Sequence, residues 1–190
     1  MKPYVLKVIN IIFCLISYFF VFFVYIGINF KSVSCLISLI PGNSGIYIRK
    51  YYYNRTLKKV GDDLKVGFLS YFVYRNVSVG DRCYIEENVV ISLCDIADDV
   101  VVASKASLMS GAHHHDVDDL EKTFLYTRPN SKRIFIGSNC WIGTHSIIMN
   151  DIGNDVVIGA GSVVTKKIED LSVAYGVPAK KIRVRGKQEK

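Results

Sequence analysis

The sequence predicts a mainly β protein: a parallel β-helix of hexapeptide repeats, preceded by an apolar helical region. Three observations carry this. Ile136, Ile142 and Ile148 are six residues apart, and so are Ile152, Ile158 and Val164. Gly137, Gly143, Gly153 and Gly159 each follow an aliphatic residue directly. Finally, no charged residue occurs between Val8 and Phe30. A period of six fits neither the 3.6 of an α-helix nor the 2 of a simple strand. It fits a chain that coils as a triangular prism, each side a very short strand with one aliphatic residue inward and a turn at each corner.

The 190 residues suffice for one continuous core. Half are hydrophobic and the formal net charge is +7. The chain is expected to divide into residues 1–60, a hydrophobic membrane-associated helical region, and residues 61–190, the β-helix.

In chain order, Lys2 and Lys7 precede the apolar run and Lys31 follows it. About 20 apolar residues cross a bilayer core, and no A-x-A cleavage site follows, so the run reads as retained and not as a cleaved signal. A second apolar piece, Val33 to Ile40, is too short to span and ends at Pro41-Gly42; it is expected as an interfacial segment or half of a re-entrant hairpin. Ile46 to Lys59 mixes Tyr47, Tyr51, Tyr52 and Tyr53 with Arg49, Lys50, Arg55, Lys58 and Lys59. Rings and cations together suit a lipid headgroup interface on the cytoplasmic side. An amphipathic helix covering the open end of the β-helix would use the same residues. Elsewhere the charges are mixed and carry no nucleic-acid motif, so no nucleic-acid partner is expected.

The coils begin near Val66-Gly67, with Val73, Val79, Ile85 and Ile91 expected to point inward. The step from Ile91 to Ile96 is five, which predicts a changed corner at Leu93 to Asp95. Ile96, Val102 and Leu108 resume the period. Asn76, Asn88, Asp98 and Asp99 are expected at corners, where Asn and Asp tolerate left-handed backbone. Cys14, Cys35, Cys83, Cys94 and Cys140 form no C-x-x-C pair and are odd in number, so they read as reduced thiols. Ser110 to Arg133 breaks the repeat with a polar, charged stretch, expected as a loop inserted at 110–133. Such interruptions are usually functional or disordered. The step from Ile148 to Ile152 is four. The chain is expected to leave the helix over Lys166 to Leu171 and to close with a short C-terminal tail.

Of four histidines, His113, His114 and His115 are consecutive inside the long interruption, and His145 lies apart. Imidazole is a ready proton acceptor near neutrality, so the cluster is the candidate catalytic group.

IGSNCWIGTHSIIM, IGAGSVVTK and YGVPAKKIR, in that order, resemble the hexapeptide-repeat O-acetyltransferases of the bacterial polysaccharide type, related to the maltose, galactoside and xenobiotic acetyltransferases. The match covers about the last 55 residues; the ISLIPG-like segment with the basic Tyr-rich stretch also resembles membrane-associated members. The resemblance implies a left-handed helix, a homotrimer, and transfer of acetyl from acetyl-CoA to a sugar hydroxyl of a surface polysaccharide or its lipid-linked precursor, at the cytoplasmic face of the bacterial inner membrane. It implies a loop histidine as base. S-G-x-x-x-H-D maps onto Ser110, Gly111, His115 and Asp116; a shorter pattern counted from Leu108 gives His113. A carboxylate or a carbonyl would fix the imidazole tautomer, with Asp116, Asp118 and Asp119 as the candidate carboxylates. Trp141, Gly143, Ala160 and Gly161 would line the acetyl-CoA groove, and Lys166, Lys167, Lys180 and Arg183 would meet its phosphates. Trp141 and the glycines are equally readable as packing and corner residues. The family's Pro-Gly turn after the Trp-Ile-Gly coil is absent. No metal is expected. Two rival readings stand: a γ-carbonic-anhydrase-like zinc enzyme with His115 and His145 meeting across subunits, and a non-catalytic scaffold.

Overall fold

A computed structural model describes residues 3–111, 120–126 and 131–187. Beyond three N-terminal helices the chain winds into a prism whose three faces are parallel sheets. Face 1 stacks β1 (Lys59–Val60), β4 (Ser78–Val79), β7 (Cys94–Ile96) and β10 (Ile134–Ile136), continued by bridges at Ile152 and Ile168. Face 2 stacks β2 (Lys65–Val66), β5 (Tyr84–Ile85), β8 (Val101–Val102), β11 (Trp141–Ile142), β13 (Val157–Ile158) and β15 (Ser172–Gly176). Face 3 stacks β3 (Tyr71–Phe72), β6 (Val90–Ile91), β9 (Ser107–Leu108), β12 (Ile147–Ile148) and β14 (Val163–Val164).

In each two-residue strand the second side chain points inward, as the alternation of a strand requires. Val66, Ile85, Val102, Ile142 and Ile158 are 0–1% exposed on face 2, and Phe72, Ile91, Leu108, Ile148 and Val164 are fully buried on face 3. Each such side chain contributes roughly 2 kcal/mol by leaving water, so the interior column is the main source of stability.

Two edges of the prism are regular. Between faces 1 and 2, and between faces 2 and 3, every turn has four residues, and the third adopts left-handed backbone. These are Asp63, Arg82, Asp99, Asn139, Asp155 and Leu171 on one edge, and Leu69, Asn88, Lys105, His145 and Gly161 on the other. On the first edge side-chain oxygens clamp coil to coil. Asp81 accepts from the Asp62 N–H at 2.7 Å, Asp98 from Asp81 at 2.8 Å, Asn154 from Ser138 at 2.9 Å and Asp170 from Asn154 at 2.8 Å. Asn88 and Asp99 are corner residues as expected; Asp98 is one by its side-chain bond, and Asn76 lies exposed on the third edge.

The third edge, from face 3 back to face 1, takes all the irregularity. From inward residue to inward residue, Phe72 to Val79 is seven, Ile91 to Ile96 five, and Ile148 to Ile152 and Val164 to Ile168 four. The inserted loop also leaves here. Phe72, not Val73, is therefore inward: a one-residue longer corner after β3 shifts the register that Val79 alone would suggest. The chain also does not leave the prism over Lys166 to Leu171. Ile168 bridges Ile152 and Ala174 stacks beside Ile158, because the shorter four-residue step repeats. The expected tail is a strand, β16 (Ala179–Val184), antiparallel to β15. It covers the otherwise open edge of face 2, and Arg185 ties it down by donating to the Asn139 carbonyl at 2.7 Å.

At the other end, α1 (Pro3–Tyr25), α2 (Phe30–Ser38) and α3 (Gly42–Thr56) close the first coil. Ile37, Tyr52 and Tyr53 are fully buried in the same cluster as Phe72 and Val66. Arg49 is fully buried too. It donates to the carbonyls of Val66 at 2.8 Å, Ile40 at 2.7 Å and Ile37 at 3.1 Å. The guanidinium thus joins α2 and α3 to face 2, and burial lowers its pKa. Of the basic, Tyr-rich stretch, Arg49, Tyr52 and Tyr53 are lid residues and not headgroup contacts, since the apolar coil end covers the rings and backbone carbonyls hold the guanidinium. The five thiols are free.

Candidate active site

The inserted loop departs and returns at a fixed point on the third edge. Ser110 is 5% exposed. Its hydroxyl lies 2.5 Å from that of Ser92 and accepts from the Leu93 N–H at 3.1 Å. Its carbonyl accepts from the Lys132 N–H at 2.9 Å. Gly111 turns the chain outward with φ +79, and a Cβ there would stand 3.0 Å from that of Lys132. The chain on the two sides of the loop, at Ser110 and Lys132, is thus held side by side. His113, His114, His115, Asp116, Asp118 and Asp119 lie outside the described residues.

His145 is described. It is an exposed corner residue at φ +59 on the edge between faces 2 and 3, not on the loop's edge. Among the described residues no three His, Cys, Asp or Glu side chains converge as metal ligands.

Trp141 stands on the outer side of face 2, 56% exposed, between Val101 below and Val157 above. The outer row continues through Val173 to Arg183 on β16. At about 4.8 Å per strand, the row from Trp141 to Arg183 extends about 14 Å. Ala160 and Gly161 are exposed on the adjoining edge, beside the Gly143 corner. Trp141, Ala160, Gly161 and Arg183 are thereby gathered on one side of the prism, and Lys180 is exposed on β16. Lys166 and Lys167 are exposed on the third edge instead. Gly143 has a packing reason of its own. A Cβ there would sit 2.6 Å from Ala160 N and from Ile158 O of the next coil. Gly161 is different: its Cβ direction opens on free space.

A second feature lies where the loop returns. Asp95 and Arg133 form an ion pair at 2.7 Å, about four-fifths buried, where the loop's return strand meets face 1. Beside them opens a cleft of about 350 Å³ walled by Asp95, Phe135 and Asn154 and floored by Ala97, Gly137 and Gly153. The five-residue step was its signal, since it draws Asp95 out of a corner and into β7.

Three of the thiols, Cys83, Cys94 and Cys140, are buried. Burial pushes Cys83 up to about 11, and raises Cys140 and, most strongly, Cys94. Each therefore stays protonated near neutrality and lacks the thiolate a nucleophile needs.

Short parallel strands, four-residue corners and a loop anchored at one edge define a hexapeptide-repeat β-helix. Residues 133–166 match the family model described as hexapeptide repeat of succinyl-transferase. The chain is 37% identical over 132 residues to the galactoside O-acetyltransferase of Escherichia coli K12, an alignment covering 65% of this chain and 62% of that protein. A putative acetyltransferase of Saccharomyces cerevisiae is 37% identical over 113 residues, 57% of this chain and 56% of its own length. The chain thus spans less than two thirds of these curated relatives. Among solved structures, a galactoside acetyltransferase in complex with coenzyme A superposes with a TM-score of 0.71 at 30% identity, covering 81% of this chain and 78% of that one. A maltose O-acetyltransferase from Clostridium difficile 630 shares the fold, with a TM-score of 0.64 at 24% identity over 83% of this chain and 84% of that one. The chain belongs to the hexapeptide-repeat acetyltransferase family.

Proposed function

We propose that the protein transfers the acetyl group of acetyl-CoA to a hydroxyl of a sugar, in a surface polysaccharide or its lipid-linked precursor, at the cytoplasmic face of the bacterial inner membrane. The observation that carries this is the likeness, over four-fifths of the chain, to a galactoside acetyltransferase solved with coenzyme A. In this reading a loop imidazole, His115 or else His113, takes the proton of the acceptor hydroxyl. Asp116 holds the opposite ring nitrogen. The hydroxyl oxygen attacks the thioester carbonyl, and backbone N–H donors stabilise the oxyanion. The carbon–sulfur bond then breaks and the imidazolium returns its proton to the departing thiolate, leaving an acetyl ester and free CoA. No covalent enzyme intermediate is required, which agrees with the protonated state of the buried thiols. The outer row of face 2 supplies a surface for the cofactor. Trp141 would flank the pantetheine arm, Gly161 would let it approach the backbone, and Arg183 would meet phosphate. The proposed assembly is a homotrimer.

The test is CoA release by the full chain, with galactosides, maltose and extracted glycolipid precursors as acceptors. Replacing the base histidine by Ala should lower turnover by about 10²–10⁴-fold with little change in KM for acetyl-CoA. Acceptor-independent CoA release, or full activity in the His113→Ala/His115→Ala double variant, would overturn the reading.

A further inference from the structure

Helix α1 is long enough to cross a bilayer: 23 residues rise about 34 Å, against about 30 Å of hydrocarbon. Its packing is that of a helix lying along a surface. Val21, Val24 and Ser17 are buried on one side. Phe13 stacks on Tyr47 of α3 at 5.8 Å between ring centroids. Arg55 of α3 lies over the Tyr18 ring at 4.1 Å and donates to its hydroxyl at 3.0 Å and to the Cys14 sulfur at 3.4 Å. Near the C-terminal end of α1, Arg75 of the first long corner lies 5.8 Å from the Tyr25 ring. A helix standing across the bilayer in this arrangement would carry Arg55, α3 and the lid of the β-helix into hydrocarbon beside its midpoint. Leaving them behind would strip cover from Val21, Val24 and Ser17.

The opposite side of α1 is bare. Ile11, Leu15, Phe19 and Phe22 are 53–63% exposed and fall on one arc of a 3.6-residue helix, with Tyr18 and Tyr25 at its margin under Arg55 and Arg75. This arc holds no charged residue. The charge around it has one sign: residues 1–61 contain eight lysines and arginines, whereas all 17 acidic residues come later. Lys31, Lys58 and Lys59 are exposed. Bare aromatic and aliphatic side chains bordered by cations, with no anion in the segment, match an anionic lipid surface.

We propose that the protein is monotopic: α1 lies in the plane of an anionic membrane with its Leu15–Phe22 face in the acyl boundary and its other face on α3, and does not cross the bilayer. This rests on the proposed membrane location and is independent of the chemistry.

Two measurements on the full chain test it, neither reading activity. The protein should float with vesicles of 3:1 phosphatidylcholine and phosphatidylglycerol. The Leu15→Glu/Phe22→Glu variant should show at least a tenfold lower bound fraction at an unchanged melting temperature, since both side chains are already exposed. In membranes of cells making the protein, epitope tags at the two termini should both be cut by protease in inverted vesicles and both be spared in sphaeroplasts. Tags on opposite sides would mean a spanning helix and overturn the proposal. So would equal flotation of variant and wild type. Wild-type protein that ignores vesicles but self-associates through this face, with the variant dispersing it, would assign the face to a second copy and equally overturn it.

Discussion

The two regular edges of the prism and its third edge obey different rules. On the regular edges each turn has four residues, a left-handed third position and a coil-to-coil clamp. No insertion is found there, because one extra residue would turn the next inward side chain outward. The third edge has corners of differing length and, among the described residues, no left-handed position apart from Gly111 at the loop's departure. Rigid edges hold the column in register, and the free edge carries the loop with the candidate base. Variation in corner length is thus confined to the side where it does not disturb the core.

The largest effect expected from this contrast is at Gly143 on a regular edge. Its Cβ position lies 2.6 Å from backbone atoms of the next coil, and backbone cannot move aside as a side-chain tip can. Gly143→Ala should cost about 3 kcal/mol or more, measured as a lower urea midpoint. A loss under about 1 kcal/mol would show that the coils slide past one another, and the rigid-edge account would fail.

A smaller effect is expected where the two kinds of behaviour meet. Ser110→Ala removes the acceptor of the Leu93 N–H and the partner of the Ser92 hydroxyl. The orphaned groups should cost about 1–2 kcal/mol. In the proposed enzyme the loss of turnover should exceed what that destabilisation explains, with Ser110→Thr restoring much of it. Unchanged turnover would mean that the anchor does not position the loop.

The sequence made the column readable from Ile136 to Val164 because Ile136, Ile142, Ile152 and Ile158 are each followed by glycine, which marks the inward place. It misled at Val73, where two adjacent apolar residues left the inward one undetermined and the seven-residue corner decided for Phe72. It misled again after Val164, where a four-residue step looked like an exit. The lid was least legible. Arg49 is a cation in a cationic stretch, and only the carbonyls of Ile37, Ile40 and Val66 converging on it explain its burial. At the site, the histidine run could be singled out by composition. The Asp95–Arg133 pair was only half legible: the five-residue step marks Asp95, but its partner lies 38 residues on.

The smallest effect should come from lengthening the third edge. Inserting Gly-Ser between Met149 and Asn150 would restore a six-residue step. Asp151 would keep its place accepting from the Phe135 N–H at 2.9 Å, and the hydrogen bond from the Asn150 amide to the Thr165 carbonyl at 3.2 Å is exposed. Loop length itself adds only a few tenths of a kcal/mol at this size, so stability should fall by less than about 1 kcal/mol. The same two residues placed between Thr144 and His145 would displace Ser146, Ile147 and Ile148 from their partners on β9 and β14, at a cost of about 3 kcal/mol or more. Urea unfolding of the two insertion variants side by side gives the comparison. Equal losses would mean that the third edge is as constrained as the others, and that its changing step lengths are fixed by its own contacts and not by freedom from them.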